Sequence, residues 1–393
     1  MKLHPSFAVL VMSLALAACT QAPEPAPATA AAGAGTAAAI AIASDREPDE
    51  YEDDDVLLRD HAVPHVVVKE AFVSPDAAED NIDSPASWLQ DGRLMVVATA
   101  KASDRLVVYD GDTGQRLRNV GGPGAEPGQL RRPNGVATVD DRFAFVVERD
   151  NHRVQMFSLP DFEPLLAFGQ DELAQPYGLW VRPLEGGYEV LVSDAYMDGE
   201  DADGEDIVPA LAALDRRFRR YSVMESGAGW TAQPGGAFGD TSAAGAIRVP
   251  ESLFGDPDND RLLVAEEDVA TGTRLREYDL QGRYRGRDVG AGNYLAQAEG
   301  IALMRCADGS GWWVGSDQFA DRTIFHLFDR NTLEHAGAFA GEVTGLTDGI
   351  WLDGRGDGRF PQGVLYASHQ DMGVTAFDWA DIAAALDLAD CAR

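Results

Sequence analysis

The feature that most constrains this chain is a series of short apolar runs separated by turn-forming residues. Residues 94–98, 106–109, 143–147, 154–157, 188–192, 262–265, 312–314, 325–328, 364–367 and 374–377 are rich in β-branched and aromatic side chains, with Gly, Asp and Pro between them. Runs of this length and spacing read as antiparallel hairpins and meanders. Helical periodicity is confined to residues 378–388, where Asp378 can cap a short terminal helix carrying Ile382, Leu386 and Leu388 on one side. Several hairpins also end alike, as Tyr109-Asp110-Gly111, Tyr278-Asp279 followed by Gly282, and Phe328-Asp329-Arg330. Loose repetition of one all-β unit is the signature of a β-propeller. At about 40 to 50 residues per blade the domain has room for roughly six to eight, and six is the expected number because of a resemblance described below.

Within this series, Gly124, Gly128-Gln129-Leu130, Pro133-Asn134-Gly135-Val136-Ala137 and residues 150–157 together resemble an NHL-type propeller repeat. That resemblance covers one or two blades. It speaks to architecture and not to chemistry, because one fold hosts many functions.

The start of the chain reads differently. Lys2 followed by the apolar run 7–16 and small residues has the layout of an export signal, too short to span a bilayer. Leu16-Ala17-Ala18-Cys19 resembles the lipobox of bacterial lipoproteins, which implies acylation of Cys19. Thr20 after it resembles outer-membrane sorting. A plain secretory signal with an incidental cysteine is the alternative. Residues 20–60, rich in Ala, Pro, Asp and Glu, lack the apolar side chains that would offset ordering entropy and read as a tether. Residues 61–393 then form the propeller. The expected location is the outer membrane or periplasm, with a lipid anchor as the only membrane contact.

A net charge of -33, from 32 basic and 65 acidic residues, excludes nucleic acid and anionic surfaces as natural partners. It suits a cation-binding surface, although most of these carboxylates serve solubility. With Cys19 assigned to lipid, Cys306 and Cys391 remain as a candidate disulfide in an oxidising compartment.

The residues with chemical potential are carboxylates at loops and strand ends: Glu251, Glu266-Glu267-Asp268, Glu299-Gly300, Ser316-Asp317-Gln318 and Thr347-Asp348-Gly349. Together with Asp83-Ser84-Pro85-Ala86 and Ala98-Thr99-Ala100-Lys101 they resemble the β-propeller phytases, a six-bladed family that hydrolyses phosphate monoesters with calcium. The resemblance implies that Glu251, Glu267, Glu299 and Asp348 form the catalytic, calcium-holding set, with Asp83 and Glu342 as further metal ligands. It implies that Lys101, Arg149 and Tyr177 contact phosphate oxygens. Calcium takes 6 to 8 oxygen ligands, and bound ions at one mouth of a propeller can hold a phosphate and acidify water for in-line attack.

The chain departs from that family at four places. Ser84 stands where a second aspartate is expected, Gln297 and Glu342 where aspartates are expected, and Asp194-Ala195-Tyr196 where a phosphate-binding lysine is expected. Each candidate also has an ordinary structural reading. Glu266 and Glu267 suit a solvated edge or arginine partners. Asp348 suits a turn before Gly349. Lys101 suits the surface, Arg149 a bridge between blades, and Tyr177 the core.

The resulting expectation is a monomeric calcium-dependent phosphate monoesterase of 3-phytase type, acting on inositol phosphates or related esters. The alternative is a non-catalytic envelope propeller that binds a ligand or partner protein, and a weaker third reading is a lactonase-like hydrolase.

Overall fold

The computed structural model describes residues 63–391 apart from 203, 205 and 357. The signal segment, Cys19 and residues 20–60 lie outside the described residues.

Six blades follow one another along the chain, each an antiparallel sheet. Blade 1 consists of Ile82–Gln90, Arg93–Ala100, Arg105–Asp110 and Arg116–Gly121. Blade 2 is Pro133–Val139, Phe143–Glu148, Arg153–Ser158 and Pro164–Phe168, and blade 3 is Pro176–Leu184, Gly187–Asp194, Phe218–Ser226 and Gly229–Phe238. Blade 4 is Pro250–Asp256, Arg261–Glu266, Arg274–Tyr278 and Tyr284–Val289. Blade 5 is Gln297–Arg305, Gly311–Gln318, Thr323–Asp329 and His335–Ala340, with Val66–Val67 added in parallel at its outer edge. In blade 6, Ile350–Asp353, Val364–His369 and Gly373–Asp378 are completed by Phe72–Val73 from the other end of the chain, which closes the ring.

Why the runs are apolar throughout, and not alternating, follows from the ring. Both faces of a blade are covered by its neighbours, so both side-chain sets of a strand are buried. In the run 262–265, Leu262 and Val264 join the cluster shared with blade 3, while Leu263 and Ala265 join the one shared with blade 5. Clusters of this kind fill each of the six blade-to-blade junctions.

The repeated aspartate of the hairpin endings also has a structural cause. Asp110 accepts from the backbone N–H groups of Asp112 and Thr113, Asp279 from those of Gln281 and Arg283, and Asp329 from those of Asn331 and Thr332. Each closes the turn between the third and fourth strands of its blade.

The terminal helix, α1, spans Trp379–Ala385, and the Asp378 carboxylate accepts from Ala380 N–H at 2.9 Å. It stops short of residue 388, because Asp387 adopts a left-handed φ of 53°. Leu386 and Leu388 still pack on the blade 5 and 6 cluster. Beyond it Cys391 is disulfide-bonded to Cys306, with a Cα–Cα distance of 5.1 Å.

Candidate metal centre at the channel mouth

The inner strands of blades 1 to 5 begin with an irregularity of the same kind. The register with the second strand shifts between Ile82 and Pro85, Pro133 and Val136, Pro176 and Leu179, Pro250 and Leu253, and Ala298 and Ile301. The two residues inside each bulge are re-aimed. The first of them is Asp83, Asn134, Tyr177, Glu251 and Glu299 in blades 1 to 5, and Asp348 holds the matching place ahead of Ile350 in blade 6. All six are buried.

The second bulge residue is small because the next blade lies against it. A Cβ on Gly178 would stand 2.7 Å from Glu251 O, and one on Gly300 would stand 2.8 Å from Asp348 O. Hydroxyls of the second strand satisfy the bulged backbone: Thr99 accepts from Ser84 N–H at 3.0 Å, Ser193 from Gly178 N–H at 2.7 Å, Ser316 from Gly300 N–H at 2.8 Å and Ser368 from Asp348 N–H at 3.0 Å. Ser193 also donates to Glu251 O at 3.0 Å, tying blade 3 to the site residue of blade 4.

A second tier comes from the residue just past the second strand in every blade but the fifth. The N–H groups of Lys101, Arg149, Ala195, Glu267 and Gln370 return to carbonyls ahead of the inner strand, at Asn81, Arg132, Gln175, Val249 and Gly345. The missing phosphate-binding lysine of blade 3 is therefore Ala195. The carboxylates one step earlier are structural. Glu266 accepts from the N–H groups of Arg248 and Val249, Asp194 from those of Ala174 and Gln175, and Asp317 from those of Leu295 and Ala296. Glu266 thus holds a loop in place and Glu267 faces the mouth.

Glu251, Glu267 and Glu299 each present a carboxylate oxygen such that the three lie within 4.8 Å of one another, all buried. Gln297 Nε2 donates to Glu267 Oε1 at 2.9 Å and orients it. Asp83 and Asp348 sit on either side of Lys101, whose Nζ lies 3.3 Å from Asp83 Oδ2 and 3.4 Å from Asp348 Oδ2. Arg149 and Tyr177 line one pocket with Glu251 and Glu267. Ser84 donates its hydroxyl to Asp83.

Burial, with the charges of Glu299, Asp83 and Asp348 adding to it and Lys101 opposing, pushes the Glu251 carboxyl well above the ordinary range. Burial also raises Asp348, against the pull of Lys101 and with Asp83 adding to the rise. Closely spaced buried carboxylates are costly as anions unless a cation joins them. Three converging carboxylates are a hard-oxygen donor set of the kind calcium takes, so the residues present fit such an ion.

Eight of the nine proposed site residues come together here. The ninth, Glu342, is exposed in the loop after blade 5, where its N–H is held by the Glu70 carboxylate at 3.1 Å. It stands outside the cluster because Glu70 also takes the N–H groups of Val343 and Thr344 and so shapes that loop as a junction. Sequence reading missed Asn134 as a member of the ring. Both polar atoms of its amide lack a hydrogen-bond partner among the described residues. Its signal was its place before Gly135, matching Tyr177 before Gly178 and Glu299 before Gly300.

No protein-family model matches this chain, and no curated protein matches it. Among solved structures it is similar to a functionally unknown protein from Desulfotomaculum acetoxidans, at 16% identity and TM-score 0.45 over 73% of this chain and 79% of that one. A streptogramin B lyase structure matches at 10% identity and TM-score 0.46, over 77% and 95% of the two chains. A gluconolactonase candidate matches at 15% identity and TM-score 0.45, over 79% and 91%. By its own strand order the chain is a six-bladed β-propeller.

Proposed function

We propose that this protein is a calcium-dependent phosphate monoesterase whose site is the acidic mouth of the channel. The observation that carries the reading is the convergence of Glu251, Glu267 and Glu299 to within 4.8 Å, beside a pocket shared with Arg149 and Tyr177. When bound, calcium would neutralise phosphoryl oxygens and acidify a water for attack on phosphorus. The chain's own residues do the rest. Arg149 offers a planar fork of donors to phosphate oxygens, and the Tyr177 hydroxyl can add a hydrogen bond. Glu267 is fixed by Gln297 and needs no reorganisation on loading. Lys101 holds Asp83 and Asp348 together and keeps that side of the mouth from repelling a phosphate. The reading also keeps the protein outside the cytoplasm, tethered through Cys19.

Purified protein should release phosphate from phytate or p-nitrophenyl phosphate with calcium present, lose that activity to a chelator and regain it with added calcium. Glu267→Gln should lower turnover by roughly two orders of magnitude. Absence of turnover on any ester tried would end the enzymatic reading. Two observations favour a binding-only role as the second reading: an amide, Gln297, stands beside Glu267, and Lys101 is already shared by two carboxylates. In that case calcium raises the thermal midpoint while no ester is cleaved.

A further inference from the structure

We propose that the shaft of the propeller below the acidic ring is a second, independent binding site, for a small amphipathic monoanion with an apolar body. Below the six ring residues the inner strands line a channel with about 920 Å³ of empty space, a volume that includes the open solvent it meets. It is lined from the second bulge residues onward and includes none of the ring residues themselves. The pocket of Glu251 and Glu267, in turn, includes none of the residues that follow them down the strands. The two spaces share no lining residue, and the channel runs to the far ends of the inner strands, where Arg182, Pro257 and Arg305 line it.

The channel wall is apolar and aromatic, built from residues such as Leu179, Val181, Phe254, Ile350 and Trp351. Two of its three lining hydroxyls are already engaged: Ser84 donates to Asp83, and Thr138 donates to the Ser87 carbonyl, while Ser252 is the third. More of the wall is apolar than polar, which favours a ligand with an apolar body.

One charged group gives the site a polarity. Arg305, at the end of the blade 5 inner strand, lines the channel, and its guanidinium donates to Gly255 O at 3.2 Å. It forms no ion pair among the described residues. The acidic side chains near it, Asp256 and Asp258, are both held by Arg330 at 2.6 Å. The other arginine at this rim, Arg182, is paired with Glu189 at 2.6 Å. One positive charge without a salt-bridge partner among the described residues, at the lip of an apolar shaft, fits a carboxylate or sulfonate on an aromatic or branched aliphatic body. A polyphosphorylated compound would find neither enough cations nor enough polar wall.

The test is a titration of the full chain with 1-anilinonaphthalene-8-sulfonate, alongside the neutral analogue N-phenyl-1-naphthylamine. The expected result is saturable binding of one sulfonate per chain, displaced by 4-phenylbutyrate. Arg305→Gln should weaken the sulfonate by roughly tenfold or more and leave the neutral dye within about twofold. Val181→Trp, which fills the shaft, should abolish binding of both, with thermal unfolding used to verify that the variant is folded. Should that variant not fold, the Arg305→Gln comparison decides alone. Non-saturable binding, or equal effects of Arg305→Gln on charged and neutral probes, overturns the proposal. Chelator should leave binding unchanged, so this site and the phosphatase reading stand or fall separately.

Discussion

Glu251 and Asp80 are both buried carboxylates, yet their surroundings give them opposite effects on stability. The folded state raises Glu251 through burial and its acidic neighbours. Its ionised form is therefore penalised on folding, and stability falls as pH rises past its unfolded value. Glu251→Gln removes the penalty. The calcium-free protein should melt roughly 2–4 °C higher at neutral pH, while the gain in midpoint on adding calcium should shrink. Scanning calorimetry with and without calcium checks both halves.

Burial also acts to raise Asp80, but hydrogen bonds from Ser103, Arg105 and Arg116, with the charge of Arg116, outweigh it and hold the carboxyl below its usual range. Its contribution is fully present above the unfolded value, near pH 3.9, and is lost as pH falls through the lower folded value. Asp80→Asn should cost about 3–5 kcal/mol at neutral pH, because two arginines lose their partner. The acid limb of a stability profile below about pH 4 should flatten in that variant.

Among the elements, the inner strands and the hairpin turns carry most of the design. Arg330 leaves the turn of blade 5 and clamps Asp256 at the end of the blade 4 inner strand, with Nε 2.7 Å from Oδ2 and Nη2 2.6 Å from Oδ1. Arg330→Met strands a buried carboxylate and should destabilise by about 3–5 kcal/mol in denaturant titrations. The hairpin turns were legible in the sequence because one aspartate performs the same local task in each. The acidic members of the ring and Tyr177 were singled out in the sequence, and Asn134 was not. Asn134 and Tyr177 share the bulge position of Glu251, but a single position filled by amide, phenol and carboxylate has no common residue type to read. Glu342 misled for the converse reason, since its side-chain type was suitable and only the fold shows it on the outside.

At the scale of the molecule, run spacing bounded the blade number at roughly six to eight, the family resemblance selected six, and the terminal helix was legible from one capping residue. Ring closure was not, because Phe72–Val73 is too short to stand out as a strand before blade 6 exists to receive it. Deleting residues 63–74 should unpair the outer edge of blade 6 and uncover the cluster it shares with blade 1. Hydrogen exchange should then accelerate in those two blades before the others.

The same seam has a mechanical consequence. A pull on the segment ahead of residue 63 first meets the parallel pairing of Val66 and Val67 with blade 5, then the Glu70 carboxylate with its grip on residues 342–344, and only afterwards the closing strand. These attachments lie in series, so the outer ones yield as fuses while the ring stays shut. At the other end the disulfide pins residue 391 to the same sector, and strain entering from outside is spent there, away from the carboxylates of the mouth.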